Sequence, residues 1–222
     1  TENHGLWELN TKTGKTSHIP ITLPSKTVYH AIKHNGHYYV YTVNPRNLYR
    51  FTPSSNLTSR IKENLLIKGF MKLKNRLYFY NSQGVFEVTA TAIVQKYKGQ
   101  IKTAATTENK IVIITTAEII TLDTHNKIHR TKLSDDINAI APATHLKSFY
   151  LVTSKGEIKH FSETLKALSH KYGKTQLQNV RKIYQDNSGV LWLISNLGIE
   201  ILAQNFNINH ERIFNTAKVN AL

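Results

Sequence analysis

The 222-residue chain is expected to fold as an all-β protein, a β-propeller of four-stranded antiparallel blades. Three observations predict it. Extended segments dominate the sequence, a five-residue motif recurs at near-constant spacing, and a second column of residue types keeps the same register before that motif.

The extended segments are His37–Val43, Leu77–Tyr80, Ile111–Ile114, Phe149–Val152 and Val190–Ile194. Each is short, rich in β-branched and aromatic residues, and bounded by Asn, Gly, Lys or Ser, as strands are. Helical periodicity is not sustained; the best helix candidate is Glu163–Tyr172, which runs into Gly173. The recurring motif is a small or polar residue, an apolar one, two variable ones and another apolar one. Its copies open at Gly5, Asn47, Gly84, Glu118, Glu157 and Gly198, with the first apolar residue next in each. Successive copies lie 42, 37, 34, 39 and 41 residues apart, a mean of about 39. That matches the roughly 40-residue period of a four-stranded propeller blade.

Just before the turn of five copies stand Asn44, Asn81, Thr115, Thr153 and Ser195, and three residues earlier Tyr41, Tyr78, Val112, Tyr150 and Trp192. The pattern describes a strand that ends on a polar residue able to bond nearby backbone, followed by a turn that often needs glycine. Five full blades and a partial one follow from the count. The partial blade would comprise strands at Leu6–Leu9 and Thr16–Thr22, with Ala217–Leu222 resembling the start of a first strand. The whole chain, 1–222, is expected to be one propeller domain, either six-bladed with a shared incomplete blade or, the favoured reading, a piece of a longer protein. A β-sandwich with hairpins at similar intervals is the alternative architecture.

Composition narrows the function. Hydrophobic residues at 40% suffice for a packed core. The longest apolar run, Lys110–Leu122, is shorter than the roughly 20 residues a membrane helix requires. No basic and apolar leader stands at Thr1, so any signal peptide is expected to be removed or to lie outside the chain. The absence of cysteine excludes disulfides, thiol catalysis and Cys-ligated metals. Twenty-nine Lys and Arg against 14 Asp and Glu give a formal charge of +15, which favours anionic partners of some kind. These cations are spread through every blade rather than gathered in a basic arm or recognition helix, so nucleic acid is not the expected partner.

The last copy is the fullest, Val180-Arg-Lys-Ile-Tyr-Gln-Asp186-Asn-Ser-Gly189-Val-Leu-Trp192-Leu-Ile-Ser195-Asn-Leu-Gly198-Ile199. It resembles the two-component regulator propeller repeat, in which an apolar strand leads through an Asp-x-x-Gly turn to Trp, Ser or Thr, and Gly. Thr1–Gly14 resembles the second half of the same repeat. The likeness is confined to these two ends; in the middle blades Asn47, Glu118 and Glu157 stand at or near the glycine position and Tyr or Val replaces the Trp. The resemblance implies a periplasmic sensor domain of a hybrid two-component histidine kinase, of the kind best known in Bacteroidetes. It further implies an oligosaccharide-like ligand, a homodimer in the full-length protein, and a membrane connection only through regions outside this chain.

Other motifs weigh less. Asp186–Gly189 lacks the downstream ligands of a calcium loop and reads as a hairpin turn. His34-x-x-His37 and His125-x-x-x-His129 have ligand-like spacing, but no local acid completes either pair, so both are expected to be solvated turn histidines. No G-x-S-x-G, P-loop, G-x-G-x-x-G or H-E-x-x-H occurs, and Asp135–Asp136 reads as a loop leading into a strand. No catalytic residue, metal or cofactor is expected. Asn56-Leu57-Thr58 fits a glycosylation acceptor, a motif common by chance. Turns on a rigid scaffold carry binding, so Asn44, Arg46, Asn81, Gln83, Thr116, Lys155 and Asn196 are the candidate ligand-binding residues. The expected ligand is an oligosaccharide or other small anion. The alternatives are a protein-docking propeller unconnected with two-component signalling and a glycan-active enzyme of propeller fold.

Overall fold

A computed structural model of the chain describes residues 6–10, 12–24, 27–144, 147–169 and 172–203. Twenty-one strands and one short 3₁₀ turn, Pro53–Ser55, make up its regular structure. The fold is an all-β propeller built of antiparallel blades, and every strand in a sheet neighbours the next in sequence.

The first sheet is a hairpin of β1 (Leu6–Leu9) and β2 (Thr16–Ile19). Four complete blades follow. They comprise β3 (Val28–His34), β4 (His37–Thr42), β5 (Leu48–Thr52) and β6 (Leu57–Lys62); then β7 (Gly69–Leu73), β8 (Arg76–Asn81), β9 (Gly84–Val88) and β10 (Ile93–Lys98). The third holds β11 (Thr103–Thr106), β12 (Lys110–Ile114), β13 (Glu118–Asp123) and β14 (Ile128–Lys132). The fourth holds β15 (Ile137–Pro142), β16 (Ser148–Thr153), β17 (Ile158–Ser162) and β18 (Ala167–Leu168). Among the described residues the last sheet has three strands, β19 (Lys182–Gln185), β20 (Leu191–Ser195) and β21 (Gly198–Leu202). The strand expected at Ala217–Leu222 and the opening residues Thr1–Gly5 lie outside the described residues.

Burial explains the sequence pattern. The second strand β16 is buried at all six residues, with Phe149 and Leu151 packed against the third blade and Tyr150 and Val152 against the last sheet. Outer strands keep one side in water, so β14 is exposed at four of its five positions. Such a strand reads as alternating or polar, whereas a strand covered on both faces reads as a continuous apolar run.

By compactness the chain divides into two units, Thr1–Asn81 with Val85–Tyr97, and Ser82–Gly84 with Lys98–Leu222. In the first, Tyr39, Tyr41 and Leu48 pack against Leu77, Phe79 and Val88 of the following blade. Leu6 and Ile19 of the β1–β2 hairpin cover the other face, against Tyr38, Val40 and Phe51. Glu8 ties that hairpin down by accepting from Lys33 Nζ at 2.7 Å and from the Tyr38 hydroxyl at 2.9 Å. In the second unit Val112, Ile114 and Ile119 meet Ile137, Phe149 and Leu151. Tyr150, Val152 and Ile158 meet Ile183, Leu191 and Leu193.

Two expectations change. The stretch Glu163–Tyr172 is not helical where it is described. Leu165 takes a positive φ of 66°, Ser162 Oγ accepts the Lys166 amide at 3.1 Å, and β18 turns back onto β17 with Leu168 opposite His160. The segment supplies the fourth blade's outer strand; His170 and Lys171 lie outside the described residues. The first full blade also shifts the expected columns by two residues. Its turn runs from Thr42 to Asn47, with the Thr42 amide donating to the Asn47 carbonyl at 3.0 Å, whereas Thr115 closes on Glu118. Thr42 and Tyr39, not Asn44 and Tyr41, therefore occupy the positions of Thr115 and Val112. The cross-strand pairs agree, with Tyr39 opposite Arg50, Val112 opposite Thr121 and Tyr150 opposite His160.

Candidate functional site

All seven candidate residues lie at the connection between the second and third strands of a blade. Asn44 and Arg46 are exposed between β4 and β5. Asn81, at the end of β8, is buried, and its Nδ2 donates to the Leu66 carbonyl at 3.2 Å. Gln83, Thr116, Lys155 and Asn196 are exposed in the corresponding turns of the later blades.

These turns share a structural duty. The carbonyls of Arg46, Gln83, Ala117 and Gly156 accept the amides of Leu65, Gly99, Leu133 and Thr175 at 2.8–3.0 Å. Each donor lies on the segment that leads to the next blade, so the turn holds down the outgoing chain. The strand-end side chains brace the same turns, as in Thr115 Oγ1 accepting from the amides of Ala117 and Glu118 and Thr153 Oγ1 from that of Glu157. Within the first unit the outgoing segment brings Arg46 and Asn81 together, because Leu65 bonds the first and Leu66 the second.

A concave site forms at the other end of β4. Here the packed seam between the β3–β6 and β7–β10 blades opens into a cavity of about 300 Å³. The β3–β4 turn contributes His34, Asn35 and His37, β5 contributes Arg50, and the β7–β8 turn contributes Asn75 and Arg76. His37 Nδ1 lies 2.9 Å from Thr52 Oγ1, which fixes its ring at the rim. His34 is half-buried, its ring 6.3 Å from that of Tyr39. Burial, then Lys72 and His37, hold the His34 imidazole below its ordinary pKa, so it favours the neutral form. His34 and His37 are thus packed into a pocket wall rather than solvated as expected, whereas His125 and His129 are exposed as expected.

The cavity is cationic. Its carboxylate, Glu87, is already shared by Lys96 Nζ at 3.0 Å and Arg76 Nε at 3.7 Å. Among the described residues half-buried Arg50 forms no such ion pair, and its Nε is buried without a hydrogen bond. Among the described residues no group of three or more His, Cys, Asp or Glu could hold a metal ion. The sequence reading missed Arg50 and Arg76. The available signal was a cation two residues after Leu48, on the face that Leu48 turns toward the next blade.

The corresponding seams of the second unit are filled by protein groups. Between the third and fourth blades, buried Glu163 accepts from Thr107 Oγ1 at 2.5 Å and from the Asn109 amide at 2.8 Å. Between the fourth blade and the last sheet, Gln185 Oε1 accepts the Thr144 amide at 2.6 Å, and Gln185 Nε2 donates to the Tyr172 hydroxyl at 3.0 Å. The Asp186–Gly189 stretch is the expected hairpin turn, with the Asp186 amide donating to the Val190 carbonyl at 3.0 Å.

Comparison with known proteins places the fold. No family model matches the chain, and no curated protein sequence matches it. Solved structures do. The extracellular domain of a proposed hybrid two-component system of B. thetaiotaomicron superposes with a TM-score of 0.69 at 12% identity, over 99% of this chain and 32% of that one. A streptogramin B lyase superposes with a TM-score of 0.64 at 12% identity, over 87% of this chain and 70% of that one. A gluconolactonase of Xanthomonas campestris gives 0.55 at 12% identity, over 74% and 68% of the two chains. These likenesses are of fold. The fold occurs in sensor domains and in enzymes alike, and the chain spans about a third of the length of the sensor domain.

Proposed function

We propose that this chain is ligand-input propeller from the extracytoplasmic part of a sensor of the hybrid two-component type. It binds a carbohydrate-derived ligand and performs no chemistry of its own. The observation that carries the reading is the match of fold across 99% of the chain to the extracellular domain of a proposed hybrid two-component system. The Asp186-x-x-Gly189 turn with Trp192 above it agrees, since it is the local structure that the regulator-propeller resemblance implies. The cavity beside His34 and Arg50 offers a rigid, polar, concave place for a small ligand, at the lower end of the volumes such sites have. Signalling then requires only that the ligand favour one of two arrangements of a homodimer, with the responding element elsewhere in the full-length protein.

The test is a melting series on the purified chain with neutral, uronic and sulfated oligosaccharides at millimolar concentration, followed by calorimetry. A saturable rise in melting temperature with one glycan class is expected. If no member of the panel shifts the transition, the reading fails.

A further inference from the structure

We infer that the cavity at the end of the seam between the β3–β6 and β7–β10 blades binds the oxyanion of an acidic sugar, a carboxylate or sulfate, with Arg50 as its principal donor. The inference rests on the ligand-binding reading above and specifies its chemistry.

The position of Arg50 is unusual. On β5 it follows Leu48 by two residues and pairs across the sheet with Tyr39, and both of those neighbours belong to the packed core of the seam. A side chain on that face is driven toward the next blade, where an apolar residue would add to the core. Instead the chain places a guanidinium there and leaves its Nε buried without an acceptor. Arg50 as a whole is half-buried, so the cost falls on this one N–H, a donor ordinarily met by an acceptor or by solvent. Glu87 does not serve, because Arg76 and Lys96 already share it. An incoming oxyanion meets the guanidinium charge that Arg50 brings to the cavity lining, since a guanidinium binds carboxylate and sulfate through charge-assisted hydrogen bonds.

The surroundings fit the same ligand. Arg76 lines the cavity and adds a charge of like sign, and the His34 and His37 rings add further ring nitrogens around the Arg50 position. Asn35 and Asn75, at the mouth, offer neutral amides of the kind that bind sugar hydroxyls. The two seams of the second unit show the alternative design, in which Glu163 or Gln185 fills the equivalent gap and bonds the neighbouring backbone. The first-unit seam has cations and an open volume in place of such a plug.

Calorimetry on the intact chain with glucuronate, glucose 6-sulfate, inorganic sulfate and glucose tests this directly. Both acidic sugars are expected to bind at least about tenfold more tightly than glucose. Arg50→Gln should lower that affinity by about tenfold or more, and His37→Gln should lower it less. Lys127→Gln, which removes equal charge from the exposed turn between β13 and β14, should leave binding unchanged. The melting temperature of the free Arg50→Leu variant should equal or exceed that of the parent. Equal affinity for glucose and glucuronate, or equal effects of the Arg50 and Lys127 variants, overturns the anion site. So does a marked fall in the Arg50→Leu melting temperature, which would make Arg50 structural. Binding of neutral oligosaccharides unaffected by Arg50→Gln refutes this site and leaves the sensor reading standing. Sulfate bound through Arg50 with no response to any sugar refutes the sensor reading and leaves an anion site.

Discussion

The carbonyl of Gly156 accepts the amide of Thr175 at 2.9 Å, and a Cβ on Gly156 would lie 2.7 Å from the carbonyl oxygen of Thr175. Gly156 also has a φ of +80°, where an L side chain is strained. The glycine therefore lets the turn between β16 and β17 hold the segment that leads to the last sheet. Gly156→Ala combines left-handed strain with a clash against backbone, and should cost about 2–4 kcal/mol. Gly36, with a φ of +76° and nothing within 4 Å of its Cβ position, isolates the strain. Gly36→Ala should cost only about 1–2 kcal/mol. Urea denaturation of both variants measures the difference as separate midpoint shifts.

Glu163 makes a second connection of this kind. Its carboxylate takes the Thr107 hydroxyl and Asn109 amide of the third blade, while Lys110 Nζ donates to its carbonyl at 2.9 Å. Glu163→Leu removes the acceptor of the part-buried Asn109 amide and leaves the Thr107 hydroxyl only the Lys110 carbonyl at 3.1 Å, for an expected loss of about 1–3 kcal/mol. Glu163→Gln retains an acceptor oxygen and should lose about half as much. Equal losses in the two variants would mean that packing, rather than these hydrogen bonds, closes the seam.

Core and surface leucines and phenylalanines should differ sharply. Phe149 is fully buried and stacks on Phe161 with ring centres 5.9 Å apart. Phe149→Ala should cost about 3–5 kcal/mol through lost transfer energy and a cavity. Leu57 opens an outer strand and is 66% exposed, so Leu57→Ala should stay within about 0.5 kcal/mol of the parent. Thermal and denaturant midpoints for the pair check whether outer strands contribute as little as their exposure indicates.

The blade count and the strand order were readable because the sequence repeats where the physics repeats. Ile111–Ile114 and Phe149–Val152 are covered on both faces and must be apolar throughout, so they stand out at a regular period. The register of the first full blade was obscured by its turn, which closes from Thr42 to Asn47 and displaces every residue before it by two. Glu163–Tyr172 misled for a related reason. Its spacing allowed a helix, but the Ser162 hydroxyl on the Lys166 amide offers the backbone a local alternative, and the buried anchoring of Glu163 is a tertiary choice that overrides local preference. Arg50 was invisible as a site residue because Tyr49 and Phe51 on the opposite face are buried as well. With apolar residues on both sides, alternation cannot reveal which face a lone cation occupies. Only pairing with Tyr39, and packing against a blade encoded some 30 residues later, give Arg50 its position.

Acid should loosen the last sheet through Asp186. Its carboxylate accepts the Ser188 hydroxyl at 2.6 Å and the indole N–H of Trp192 at 2.9 Å, with the Ser188 and Val190 amides adding two further donors. The Ser188 and Trp192 bonds lower its pKa from 3.8 to about 2. All four donors favour the ionised form, so the folded state binds this proton less readily than the unfolded chain does. The stabilisation is therefore fully present above about pH 4 and is lost as pH falls through about 2. Asp186→Asn should lower the melting temperature at pH 7, and its deficit against the parent should shrink steadily below pH 4. Trp192 gives the readout, because protonation frees its indole from the carboxylate and should shift its emission in the parent but not in the variant. A deficit that stays constant down to pH 2 would show that the turn is held by its backbone bonds, the Asp186 amide to the Val190 carbonyl and the Gly189 amide to the Asp186 carbonyl, rather than by the carboxylate.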